Sequence, residues 1–258
     1  MTNRGFECRD EKRQKELRLI MPEELQSQFF ATIYCRGELM DSTEGDPEKI
    51  WAALSSNFNN IQLVAPYQVH GTNIIPSSSS FALPLRPEAD GVLIDTSSNS
   101  MASLRFADCC PVVIAAYSPE PWMLLLHSGF IGTAKNIVSR SLAGLSENKP
   151  GCKSERIRAW IGPCICKDCY SRKMEDPSTQ NALTAFSPDN YCKKNGVVYF
   201  DIKGEIKWQL MQCGLPYDNI YEAEGCTYCN NDFYYSYRAG DERTRIFLLA
   251  GNTTKQAR

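Results

Sequence analysis

The sequence predicts an α+β fold in a single domain, with a central mixed β-sheet flanked by helices. Three short apolar runs, at 91–94, 111–117 and 122–130, are each bounded by Asp, Gly, Pro or Ser, which is typical of buried strands. After the third run, apolar residues recur at helical spacing from 131 to 145, which predicts a helix beginning just past Gly129–Gly132. Strands that alternate with helices in this way favour one mixed domain.

The remaining elements follow from the same patterns. Four more segments have the apolar patterns of strands: 60–69, 156–165, 219–229 and 233–251. Residues 201–215 have the spacing of an amphipathic helix that ends at Gly214. The serine tract at 77–80 is flanked by prolines and is predicted to be a surface loop.

Composition limits the class of protein and its partners. The 258 residues are 43% hydrophobic, enough for a large core, and they contain no repeat or long linker, so one domain over 1–258 is expected. Lys and Arg (28) nearly balance Asp and Glu (30), which argues against nucleic acid and favours a small-molecule partner.

The charged segment 1–20 is expected to be flexible. It has no secretory apolar region and no stretch has the length of a membrane span, so a cytoplasmic location is expected. Oligomeric state is left open.

The two histidines of the chain, His70 and His127, are candidate metal ligands. Each is predicted to lie at a strand edge, and Cys109 occupies a third such position. Two imidazoles and a thiolate are good zinc ligands that leave one tetrahedral position open, as a catalytic zinc requires. The alternative is that the histidines are hydrogen-bonded core residues and that Cys109 is a free thiol. The spacing of the three residues in the chain, which matches no short zinc signature, supports this alternative.

A second group of cysteines has metal-ligand spacing. The chain has 12 cysteines, and in a reducing compartment these are free thiols or metal ligands more often than disulfides. Two C-x-x-C units, with one further cysteine nearby, formally suffice for a structural four-cysteine zinc site: Cys164, Cys166, Cys169, Cys226 and Cys229. Reduced thiols are the simpler interpretation, and the role of these five is left open.

Seven motifs together resemble one protein family. They are QVHG (68–71), EADGVLID (88–95), ADCCPV (107–112), HSGFIGT (127–133), IGPCI (161–165), DIKGEIKWQL (201–210) and CTYCNNDFYYSYR (226–238). In order and spacing they resemble the YfiH-like multicopper polyphenol oxidoreductase (laccase) family. That family includes purine nucleoside phosphorylases and the peptidoglycan editing factor. The resemblance covers roughly residues 60–250.

The resemblance implies a site, a cofactor and an activity. It implies a YfiH-like cysteine-hydrolase fold with zinc held by His70, Cys109 and His127. It also implies phosphorolysis of adenosine, inosine, guanosine or methylthioadenosine to base and ribose 1-phosphate, and deamination of adenosine. The expected substrates are thus a purine nucleoside and phosphate. Beside the ligand and expected catalytic residue Cys109, Asp108 is a candidate for proton handling, with a structural role in a turn as the alternative. Cys110 is predicted to point to the opposite face of its strand, into the core.

Several positions depart from the family pattern. An Arg of the family is Ile131 here, a Glu is Ser171, an Asn is Ile206, and a Thr-Gly-Arg motif has become 244–246. Arginine is a natural phosphate clamp, so its loss at 131 is expected to weaken phosphorolysis. Lys135, one helical turn further on, is a candidate replacement for the lost charge.

Three other functions fit parts of the pattern. One is hydrolysis of a peptidoglycan precursor, and another is a diverged homologue that keeps zinc and acts by binding only. A third is a metal-free dyad with Cys109 as nucleophile and His127 as base. A multicopper phenol oxidase is disfavoured, because two histidines cannot supply a multicopper cluster.

Overall fold

The computed structural model describes residues 5–11, 13–59, 61–148 and 151–253. The strands of these ranges are β1 (Phe6–Glu11), β2 (Gln14–Leu19), β3 (Phe29–Gly37), β4 (Leu63–Val64), β5 (Ile74–Pro76), β6 (Gly91–Asp95), β7 (Met101–Phe106), β8 (Cys110–Ala116), β9 (Trp122–Ser128), β10 (Ile157–Ile161), β11 (Ser171–Lys173), β12 (Tyr191–Lys194), β13 (Val197–Phe200), β14 (Ile220–Glu222) and β15 (Ile246–Asn252). The α-helices are α1 (Glu23–Gln26), α2 (Glu38–Thr43), α3 (Pro47–Leu54), α4 (Phe130–Ala134), α5 (Ile137–Asn148), α6 (Pro177–Ala185) and α7 (Ile202–Gln212). Short 3₁₀ turns lie at Ser55–Phe58, Ser79–Phe81, Ser154–Arg156, Pro188–Asn190, Tyr217–Asn219 and Tyr237–Ala239.

The strands form two six-stranded sheets and one small sheet. The first sheet has the order β1-β2-β3-β15-β7-β4, the second β14-β10-β8-β9-β6-β5, and the third β11-β13-β12. Most neighbours are antiparallel, but β4 runs parallel to β7, β5 to β6 and β14 to β10. The α+β class with mixed sheets is therefore confirmed.

The second sheet is the central layer of the molecule. Along β8, Val113 and Ala115 belong to the apolar core shared with the first sheet, whereas Val112 and Ile114 belong to a second core that includes residues of α4–α7. Successive side chains of a strand point to opposite faces, so both faces of this sheet are covered. This explains why its strands are continuous apolar runs in the sequence.

The three predicted core strands are confirmed as β6, β8 and β9, but the helix after them was predicted too simply. It begins at Phe130 and is divided into α4 and α5. Asn136, between the two, has a left-handed φ of 58°, a conformation that asparagine tolerates better than most residues. The prediction of one continuous helix is wrong at this point.

Other predicted elements are shorter than expected. Strands β10 and β14 and helix α7 are confirmed, yet the predicted strand at 60–69 is reduced to β4, and residue 60 lies outside the described residues. The segment 233–251 contributes only β15, preceded by turns. In the predicted surface loop, Ser77 is buried and donates to the Ser100 carbonyl at 2.9 Å, so the loop is only partly a surface feature.

The N-terminal segment pairs with the first sheet. Within residues 1–20, β1 and β2 form an antiparallel hairpin whose second strand pairs with β3, while residues 1–4 and 12 lie outside the described part. Flexibility of this segment stays a prediction, as does the single domain over 1–258. No helix in the described ranges is both long and apolar enough to cross a membrane.

Candidate metal centre

Three separate segments bring His70, Cys109 and His127 together. His70 lies in the loop between β4 and β5, Cys109 in the turn between β7 and β8, and His127 near the end of β9. Their ligand atoms all lie within 4.8 Å of one another, and the two imidazole ring centres are 4.9 Å apart. The structure therefore brings the two candidate histidine ligands together with Cys109.

The spacing of the three groups suits one tetrahedral zinc ion. The Sγ atom of Cys109 is 3.8 Å from Nε2 of His70. Zinc bonds of about 2.0 Å to nitrogen and about 2.3 Å to sulfur at a tetrahedral angle place two such atoms about 3.5 Å apart. His70 is exposed and His127 is buried, so the site has an inner wall and an open outer side.

Asp90 fixes the buried ligand from behind. Its carboxylate is fully buried and accepts a hydrogen bond from Nδ1 of His127 at 2.8 Å. It also accepts backbone N–H bonds from Val69 (3.2 Å), His70 (2.9 Å) and Gly71 (2.6 Å). With its proton on Nδ1, His127 presents the lone pair of Nε2 to the site, as in carboxylate–histidine–zinc arrangements.

Sequence reasoning missed Asp90. The residue lies in the quoted EADGVLID motif but was given no role. The available signal is an acidic residue directly before a largely buried strand, where an unpaired carboxylate would be costly. Burial raises the pKa of Asp90, but the hydrogen bonds from His127 and Gly71 outweigh it, so the pKa lies below its usual value.

The backbone conformation at His70 and the absence of a side chain at Gly129 allow the ligand side chains to lie close together. His70 has a left-handed φ of 58°, a strained conformation for a residue with a side chain, here held by the N–H bond to Asp90. A Cβ atom on Gly129 would lie 2.6 Å from Sγ of Cys109 and 3.2 Å from Cδ2 of His70. Only glycine leaves enough space at this position for both ligands.

The protonation states of the ligands favour metal binding over a cysteine–histidine dyad. Burial lowers the pKa of His127 despite the hydrogen bond to Asp90, so the imidazole is neutral, as a ligand must be. Cys109 keeps some solvent contact, but its buried surroundings and the charge of Asp108 raise the pKa of its thiol to about 12. Nucleophilic cysteines have a lowered pKa, so this thiol needs a cation to ionise at neutral pH.

Asp108 is at the edge of the site, but its carboxylate is engaged elsewhere. One oxygen accepts from the Thr227 hydroxyl at 2.7 Å and the other from the backbone N–H of Arg238 at 2.8 Å. It has a left-handed φ of 78°. These contacts fit the structural role in a turn, and a role in proton handling stays a prediction. Cys110 is fully buried in the second core, on the face that was predicted.

The departures from the family pattern lie in different surroundings. Ile131 is half-buried in α4, Ser171 is half-buried at the start of β11, and Ile206 is fully buried in α7. Lys135 directly follows α4 and is exposed. Burial and the charge of Asp108 raise the pKa of Cys109, and the positive charge of Arg245 offsets only part of that rise.

The second cysteine group is also brought together, with one exception. Sulfurs of Cys166, Cys169, Cys226 and Cys229 lie within 4.8 Å of one another. Cys164 is buried in the second core and is not part of this group.

Comparison with known proteins gives a consistent result. A family model described as multi-copper polyphenol oxidoreductase laccase matches residues 35–250. A purine nucleoside phosphorylase of Xylella fastidiosa is 28% identical over 193 residues, covering 71% of this chain and 69% of the relative. The adenosine deaminase RL5, from an unknown prokaryotic organism, is 26% identical over 201 residues, covering 74% and 72%. The crystal structure of YlmD from Geobacillus stearothermophilus has a TM-score of 0.79 at 24% identity, covering 95% of this chain and 98% of YlmD. The chain therefore belongs to the multi-copper polyphenol oxidoreductase laccase family.

Proposed function

We propose that this protein is a zinc-dependent enzyme acting on purine nucleosides, by phosphorolysis to base and ribose 1-phosphate and by deamination of adenosine. The observation that carries the proposal is the His70–Cys109–His127 triad with Asp90 behind it. Relatives named purine nucleoside phosphorylase and adenosine deaminase support the substrate class. Their identities below 30% leave the choice of nucleoside to experiment.

The triad residues have distinct tasks in this proposal. Nε2 of His127 and Sγ of Cys109 form the inner part of the site, and exposed His70 lies on its open, solvent-facing side. When bound, zinc supplies a Lewis acid and a water of lowered pKa, about 7. Asp90 holds the tautomer of His127 and, through three backbone N–H groups, the strained segment 69–71. Three protein ligands leave the fourth position for substrate or water.

Phosphorolysis also needs positive charge for a phosphate dianion. Arg105 is bonded through its backbone N–H and C=O to the Gln68 side chain, at 2.9 and 2.8 Å, two residues before His70. It lines a cavity of about 390 Å³. The other residues lining this cavity are Glu44, Asp46, Pro47, Lys49, Arg86 and Arg243. Four cationic side chains against two acidic ones favour an anion here, although no residue of the triad lines this cavity.

The test is a product assay with zinc-loaded protein and adenosine, with and without phosphate. Deamination yields inosine without phosphate, whereas phosphorolysis yields adenine and ribose 1-phosphate only with it. Cys109→Ala should abolish both, and Cys192→Ala, which changes an exposed cysteine outside the triad, should leave both unchanged. A parallel arm with a peptidoglycan precursor tests amide hydrolysis. No conversion of any purine nucleoside by the zinc-loaded protein would reject the proposal. If the peptidoglycan precursor is also left unchanged, a binding function remains.

A further inference from the structure

Four cysteines converge in two loops next to the triad. Cys166 and Cys169 lie between β10 and β11, and Cys226 and Cys229 follow β14. Their Sγ atoms lie within 4.8 Å of one another, and those of Cys169 and Cys229 are 3.4 Å apart. Zinc bonds of about 2.3 Å at tetrahedral angles place sulfurs about 3.8 Å apart. Small side-chain adjustments are therefore enough to surround one ion.

Each C-x-x-C unit is folded as a turn that aims both sulfurs to one side. The backbone N–H of Cys169 donates to the Cys166 carbonyl at 3.0 Å, and that of Asn230 donates to the Cys226 carbonyl at 2.9 Å. Sγ of Cys226 accepts N–H bonds from Cys166 at 3.2 Å and from Cys229 at 3.5 Å. Backbone N–H groups pointed at a sulfur favour the charged thiolate, the form that binds a metal.

Backbone contacts that do not involve the cysteine sulfurs align the two loops with each other. Cys164 and Cys226 form a β-bridge, and the backbone N–H of Thr227 donates to the Cys164 carbonyl at 3.2 Å. All four clustered cysteines are free thiols in the structure. Cys229 is exposed, which gives an ion a route into the group.

We propose that Cys166, Cys169, Cys226 and Cys229 bind one zinc ion as a structural site separate from the triad. Four thiolate ligands form a closed tetrahedral site with no position for substrate, so its role is mechanical. The site links two loops that also contact Asp108, in the turn before Cys109. The backbone N–H of Ile165 donates to the Asp108 carbonyl at 3.1 Å, and the Thr227 hydroxyl donates to the Asp108 carboxylate at 2.7 Å. The second zinc thus braces the turn that positions the thiol of the triad.

Zinc content per chain, measured after reconstitution with zinc under reducing conditions, tests this site. Cys169→Ser should lower the content by about one ion per chain relative to the wild type. The matched control Cys192→Ser changes an exposed cysteine outside the group and should lower nothing. Equal zinc content in Cys169→Ser and wild type would overturn the proposal, as would iron in place of zinc or a disulfide between cysteines of the group under these conditions.

A second measurement leaves all four cysteines of the group unchanged. Cobalt(II) added to Cys109→Ala, whose triad lacks its thiol, should give the strong visible and near-ultraviolet absorption of a tetrahedral tetrathiolate. Absence of these bands would overturn the proposal. The outcome is independent of nucleoside turnover, so failure of the enzymatic function and failure of this site can be distinguished.

Discussion

Replacement of Asp90 by Asn tests how the buried ligand is oriented. The carboxylate accepts four hydrogen bonds, two on each oxygen: His70 and His127 donate to Oδ1, and Val69 and Gly71 donate to Oδ2. An amide has one acceptor oxygen, so whichever way Asn turns, its NH₂ group faces two donors.

The expected size of the effect follows from these contacts. Each buried donor left unpaired costs about 1–3 kcal/mol, and part of the 69–71 segment can turn toward solvent because Val69 and His70 are exposed. We expect the free energy of unfolding of the metal-free protein to fall by about 2–4 kcal/mol. Loss of the carboxylate behind a ligating histidine should weaken zinc binding by about 10–100-fold.

Urea unfolding and zinc competition against a chromophoric chelator measure the two effects. The competition is run in a Cys169→Ser background, so that only the triad is titrated. The matched control is Asp95→Asn at the other end of β6, where the carboxylate accepts from Ser97 and Ser98. Zinc affinity of Asp90→Asn within twofold of the control would refute the orienting role of Asp90, whatever happens to stability.

Three further predictions follow from the structure. Gly129→Ala should empty the triad of metal, because the new Cβ would lie 2.6 Å from the ligand sulfur, whereas Gly144→Ala, with nothing within 4 Å, should keep full metal content by elemental analysis. Partial burial raises the pKa of Asp241, but hydrogen bonds to its carboxylate and the ion pair with Arg36 leave this pKa below its usual value. The ionised carboxylate therefore stabilises the protein above about pH 4, and this stabilisation is lost at lower pH. Asp241→Asn should then destabilise the protein at pH 7 and progressively less below pH ~4 in urea unfolding; an equal loss at pH 7 and pH 3 would contradict this. Ile131→Arg should raise phosphate-dependent adenosine turnover tens- to hundreds-fold (about 2–4 kcal/mol) without changing phosphate-independent turnover, and an unchanged phosphate-dependent rate would argue against a clamp at this position.

Local patterns predicted the central strands well because those strands are buried on both faces. Runs such as 91–94 and 111–117 are apolar throughout and are followed by turn-forming residues, so their positions are fixed by composition alone. Because both faces of these strands are apolar, the sequence does not show which face packs against another sheet and which packs against helices. The arrangement of two large sheets could therefore not be predicted from periodicity. The break at Asn136 was missed because apolar residues keep helical spacing on both sides of it.

Residue type and motifs were enough to predict the ligand residues of the candidate site, but not the contacts between distant parts of the chain. The scarcity of histidine and the motif resemblance singled out His70 and His127, and the structure brings them together. The role of Asp90 was not predicted because its hydrogen-bond partner, His127, is 37 residues away in the chain. The four-cysteine group was undecided for the same reason, since spacing within C-x-x-C units does not reveal whether two such loops are neighbours in space.

Anomalous diffraction at the zinc absorption edge, from crystals of the zinc-loaded protein, tests the central claim most directly. The account predicts a peak bonded to Nε2 of His70, Sγ of Cys109 and Nε2 of His127, at about 2.0–2.3 Å from each, with the fourth position free of protein ligands. No anomalous peak among these three side chains in zinc-loaded crystals would contradict it.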